Sequence, residues 1–108
     1  MDKILKIKTR QVFDSRGNPT IEAEVYSNNI SASAISPSGA STGTYEAFEK
    51  RDNNNKRYLG KSVLGAISLV NTKIAKKLKG HNVHDQERID ALMINLDGTK
   101  QKNKLGAN

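Results

Sequence analysis

Residues 3–35, KILKIKTRQVFDSRGNPTIEAEVYSNNISASAI, decide the fold. From residue 3 to residue 13 the side chains alternate. Leu5 and Ile7 point one way and Lys6, Lys8 and Arg10 the other, which predicts a strand with one wet face. Asp14-Ser15-Arg16-Gly17-Asn18-Pro19 is a turn, built from residues that favour bends for separate reasons. Thr20 to Tyr26 alternates again, with Ile21, Ala23 and Val25 on one side and Glu22 and Glu24 on the other. Ser27-Asn28-Asn29 makes a second turn, and Ile30 to Ile35 is a third strand. Three strands joined by tight turns form an antiparallel meander, which needs cover on its apolar face.

The rest of the chain supplies that cover. Tyr45 to Arg51 reads as a short helical turn that ends in the polar run Asp52-Asn53-Asn54-Asn55. From Ser62, read as a cap, Val63, Ile67, Val70, Ile74 and Leu78 recur at helical steps until Gly80 stops them. Asp85 caps a further helix with Ile89, Leu92, Met93 and Leu96 as its buried stripe and Asp97-Gly98 as its end. Strands first and helices after give the α+β class: a three-stranded antiparallel meander followed by helices.

Composition narrows the function. The chain has 108 residues, 35% hydrophobic and 5% aromatic, with no Trp and no Cys, so its core is aliphatic and it carries neither disulfides nor thiolate metal ligands. No apolar run is long enough for a membrane span or signal peptide, and the expectation is a cytoplasmic protein. The net charge of +7 raises nucleic acid as a partner. Its distribution argues for a solvated surface instead. Lys73, Lys76, Lys77 and Lys79 gather at a helix end, where cations complement the dipole. Tyr26, Tyr45 and Tyr58 are not interleaved with the lysines as base-stacking rings would be.

The residues with chemical potential are few. Pro37-Ser38-Gly39-Ala40-Ser41-Thr42-Gly43 is an uncharged loop whose hydroxyls and uncovered backbone suit a phosphate or a hard cation, although no Gly-Lys-Ser/Thr ending makes it a Walker loop. His81 and His84 lack metal-ligand spacing. Asp14 and Arg16 either pair across their turn or reach elsewhere, the commoner fate of such an Asp being a turn-stabilising contact. Glu22 and Glu24 share a strand face at a spacing that suits a cation, or simply face solvent. Three classes stay open: a loop-bearing domain of an enzyme, a basic nucleic-acid-binding module and a non-catalytic interaction domain.

Motif order favours the first. Asp14-Ser15-Arg16-Gly17-Asn18-Pro19-Thr20, Pro37 to Gly43, Tyr45-Glu46-Ala47, Arg51-Asp52, Arg57-Tyr58-Leu59-Gly60-Lys61, Leu96-Asp97-Gly98-Thr99 and Lys104-Leu105-Gly106-Ala107-Asn108 occur in the sequence of the N-terminal domain of the enolase family, which the chain resembles from about residue 4 onward. The resemblance implies that residues 1–108 are this domain, truncated before its last helices and without the C-terminal catalytic barrel. It also implies the interconversion of 2-phosphoglycerate and phosphoenolpyruvate with two Mg²⁺ ions, the catalytic residues lying in the barrel and none in these residues. By the same resemblance Ser41 ligates the second Mg²⁺, and Ser38, Gly39, Ala40, Ser41, Thr42 and Gly43 form a flap that closes over substrate. Arg10, Arg16 and Glu22 align with positions that contact the partner in a homodimer. Ser36, Phe48, Lys50, Asn53-Asn54-Asn55 and Ser62 depart from the family's usual residues, and none removes a flap hydroxyl. Residues 1–108 alone are expected to be inactive, because neutral oxygens without carboxylates do not offset the cost of dehydrating Mg²⁺.

Overall fold

A computed structural model describes residues 2–36, 49–53, 58–99, 102, 104–106 and 108. The meander forms as expected. Strands β1 (Lys6–Phe13), β2 (Pro19–Ser27) and β3 (Ile30–Ile35) pair antiparallel in the order β1-β2-β3. The register sets Arg10 opposite Glu22, Thr9 opposite Ala23 and Lys6 opposite Tyr26. Asn29 turns the second hairpin with φ of 60°, a left-handed conformation that Asn tolerates.

The first strand begins later than its alternation suggests. Residues 2–4 instead meet residues 80–83: Ile4 N–H donates to His81 O and Gly80 N–H to Ile4 O, both at 2.8 Å, while Leu5 N–H still donates to Tyr26 O at 2.8 Å. Pairing there turns Ile4 into the core at 3% exposure and leaves Leu5 at 47%, contrary to the expectation that Leu5 would share the inner face with Ile7.

The helix predicted from Ser62 to Gly80 forms with an interruption. Helix α1 (Leu64–Leu69) passes through a π turn (Val70–Ile74) into α2 (Ala75–Leu78). Its N-cap is Val63, not Ser62. The Ser62 hydroxyl, wholly buried, donates to Gln11 Oε1 at 2.8 Å, and Val63 N–H donates to the same oxygen at 2.9 Å. The orphan amides of the first turn go to Asp52, whose two carboxylate oxygens accept from Leu64 N–H (3.1 Å) and Gly65 N–H (2.9 Å). At the π turn, Asn71 Oδ1 accepts from Thr9 N–H (3.1 Å) and Thr9 Oγ1 (2.8 Å), tying helix to strand. Helix α3 (Gln86–Asp97) follows the sequence reading, with Asp85 accepting from Arg88 N–H and Gly98 left-handed at φ 71°.

The core divides in two. Ile4, Leu78 and Ile89 pack with Ile7, Val25, Ile74 and Met93, while Ile21, Val63 and Ala66 pack with Ile67. Between the inner face of the sheet and the helices runs an open apolar groove of about 800 Å³. No helix among the described residues is long and apolar enough to cross a membrane.

Candidate functional site

Ser38, Gly39, Ala40, Ser41, Thr42 and Gly43 lie outside the described residues, and so do Tyr45 to Phe48. What the structure defines is the ground on which residues 37–48 stand. On the entry side, Ser36 N–H donates to Ile21 O at 2.9 Å, and Thr20 Oγ1 donates to Ser36 O. On the exit side, the Arg51 guanidinium donates to Pro19 O, to Lys61 O at 2.8 Å and to Glu49 Oε2 at 3.1 Å. Both ends are therefore bonded to the consecutive residues Pro19, Thr20 and Ile21 at the start of β2.

The exit segment, residues 49–53, is held along its length. The Asn108 side chain grips Lys50 at two points, accepting from Lys50 N–H at 2.9 Å and donating to Lys50 O at 3.0 Å. Gly106, at φ 87°, approaches so closely that an added Cβ would stand 2.5 Å from Lys50 Cβ. Asp52 N–H donates to Ser62 O at 2.8 Å and Asn53 N–H to Gly60 O at 3.0 Å. Residues 49–51 are accordingly not helical, although a helical turn was expected to reach Arg51. Lys50 and Asp52 direct their backbone bonds to residues 108 and 62, which an i to i+4 ladder would not allow.

Asp97 organises the segment that carries Gly106 and Asn108. It accepts from Thr99 N–H (2.9 Å), from Thr99 Oγ1 and from Leu105 N–H (2.7 Å) at 3% exposure. Burial pushes its carboxyl up, but these donors outweigh it and leave the group below the usual aspartate range.

Of the residues expected at a partner contact, Arg10 and Glu22 come together and Arg16 belongs to another group. Arg10 lies on the sheet face away from the helices and pairs with Glu22 and Glu24, each at 3.3 Å. The two glutamates thus hold a guanidinium where the sequence allowed a free cation or solvent. Glu24 also accepts from Tyr26 Oη, which raises the Tyr26 pKa. In the first hairpin turn, Asp14 Oδ1 accepts from Arg16 N–H and Asn18 N–H, both at 2.9 Å. The Asn18 bond does most to hold its carboxyl below the ordinary value. Asp14 Oδ2, buried without a hydrogen bond, faces Arg16 Nη2 at 3.9 Å.

The histidines have local partners: His81 Nδ1 lies 3.2 Å from Leu78 O, and His84 Nε2 lies 3.0 Å from Asp2 Oδ2. Among the described residues no group of three His, Cys, Asp or Glu is arranged to hold a metal ion.

Arg51 and Asn108 were not singled out as site residues from the sequence, although both fall inside motifs that carry the resemblance. Nothing in local pattern marks an Arg in a polar loop as a tie between two remote carbonyls.

Comparison with known proteins agrees with this architecture. Residues 4–108 match the family described as enolase, N-terminal domain. The enolase of Pelagibacter ubique (strain HTCC1062) is 80% identical over 108 residues, which is 100% of this chain and 26% of that protein. A match in register from Ile4 to Asn108, together with three antiparallel strands followed by helices, means that the chain belongs to the enolase family and comprises N-terminal domain sequence of that family.

Proposed function

We propose that residues 1–108 are the loop-bearing part of an enzyme that interconverts 2-phosphoglycerate and phosphoenolpyruvate, with Ser38 to Gly43 as the flap that closes over substrate. The observation that carries this reading is the 80% identity to an enolase across the whole chain. In this reading the catalytic acid, base and carboxylate metal ligands, with the last helices of the domain, belong to sequence beyond Asn108. Ser41 would offer its neutral hydroxyl oxygen to a Mg²⁺ ion that those carboxylates would hold. Magnesium, when bound, supplies positive charge against the charge that develops on the substrate. The flap's contribution is to exclude water and complete the site, which needs small, hydroxyl-bearing residues able to approach the ligand closely.

The same reading makes the full-length protein a cytoplasmic homodimer, with Arg10, Arg16 and Glu22 near the partner. The Arg10 bridge to both glutamates supports this, because it presents a charged patch on the face that the helices leave uncovered.

Ser41→Ala in the full-length protein tests the assignment. Turnover of 2-phosphoglycerate should fall by about ten- to a hundredfold, the scale for losing one preorganised polar group in a closed site. Wild-type turnover and wild-type magnesium dependence would remove Ser41 from the site.

A further inference from the structure

We propose that Arg51 is a positioning residue: by tying the exit of residues 37–48 to Pro19, one position from the Thr20 hydroxyl that holds their entry at Ser36, it fixes the span between the two ends. The kinetic part of this proposal rests on the reading that Ser41 acts at the metal.

The geometry singles out Arg51 among the contacts at this base. Asn108 and Gly106 hold only the exit segment, through Lys50. Ser36 and Thr20 hold only the entry. Arg51 alone among these joins the exit to β2, the strand to which the entry is bonded, and one guanidinium reaches Pro19 O, Lys61 O and Glu49 Oε2 together. A planar fork with several fixed donors can bridge three acceptors, whereas a lysine ammonium is a point charge on a flexible stem. Its side chain is 17% exposed, so these bonds face little competition from water. Pro19, fully buried, cannot shift to follow a displaced partner. With both ends bonded to adjacent residues, the separation of Ser36 from Arg51 is set by the start of β2, and fixing the ends of a connection lowers the ordering cost of binding.

The test uses the full-length protein in six forms: wild type, Arg51→Ala, Arg51→Lys, Ser41→Ala, the Ser41→Ala/Arg51→Ala double variant, and Asp85→Ala. The last removes the α3 cap and so serves as a control for lost stability remote from the segment. Amide exchange over residues 37–53 should be about tenfold faster in Arg51→Ala and unchanged in Asp85→Ala. Arg51→Lys, which keeps the charge but not the fork, should fall between wild type and Arg51→Ala, and it decides the matter should Arg51→Ala not fold. The kcat of Arg51→Ala should drop about tenfold, and the double variant should be little worse than Ser41→Ala alone, since a residue acting through another is non-additive with it. Exchange in the Arg51 variants equal to that in Asp85→Ala, or losses from Ser41 and Arg51 that multiply, would overturn the proposal while leaving Ser41 in place. A silent Ser41→Ala would instead defeat the reading of Ser41 and the kinetic part of this proposal with it, and the exchange rates would still decide whether Arg51 positions the segment.

Discussion

Asp97 is a helix-ending aspartate that also closes a loop. Its bonds to Thr99 and Leu105 lower its pKa in the folded chain below the ordinary 3.8. A carboxyl whose folded pKa is depressed adds stability that is complete above the unfolded value and disappears as pH falls through the folded one. Thermal melts taken downward from about pH 5 should therefore show an acid-dependent loss that Asp97→Asn flattens, since the amide does not titrate. An unchanged acid limb in Asp97→Asn would show that other carboxyls carry it. Gln11 poses the complementary case, one acceptor serving two buried donors. Gln11→Ala strands both the Ser62 hydroxyl and Val63 N–H and should cost about 1–3 kcal/mol in urea unfolding. Ser62→Ala removes one donor and leaves Val63 bonded, so its cost should stay within about 1 kcal/mol. The Asp97-Gly98 stop is readable in sequence because caps are local. The reach of Gln11 to Ser62 is not, since 51 residues separate them and neither pattern nor propensity encodes the meeting.

At the level of elements, local alternation and helical spacing recover the three strands, both hairpin turns and the two helical stretches. The misses occur where a long-range bond overrides a local preference. Residues 3 and 4 look like more of β1, but residues 2–4 pair with residues 80–83, which turns Ile4 inward and leaves Leu5 exposed. Ser62 looks like a cap, but Asp52 occupies that role and leaves Ser62 to Gln11. The π turn coincides with the site where Asn71 meets Thr9, a buried strand residue whose N–H and hydroxyl both need an acceptor. Asn71→Ala should lower stability by about 1–3 kcal/mol by orphaning the Thr9 N–H and leaving its hydroxyl only the 3.5 Å contact to Ile67 O. Adding Thr9→Val, which removes the hydroxyl, should return part of that loss in the same unfolding measurement. A double variant no more stable than Asn71→Ala would mean that the hydroxyl was not the group left unsatisfied.

For the molecule as a whole, the family is legible because motif order is a stronger signal than any single motif. The functional site is legible only in part. Ser38 to Gly43 stand out by composition, whereas the bonds that hold their segment come from Pro19, Arg51, Lys61 and Asn108, scattered along the chain. The most direct measurement is conversion of 2-phosphoglycerate to phosphoenolpyruvate by three samples: residues 1–108, the remainder of the full-length protein, and the two mixed. The account predicts no turnover from either piece alone and turnover on mixing. Conversion by residues 1–108 alone, or full-length rates from the remainder without them, would contradict it.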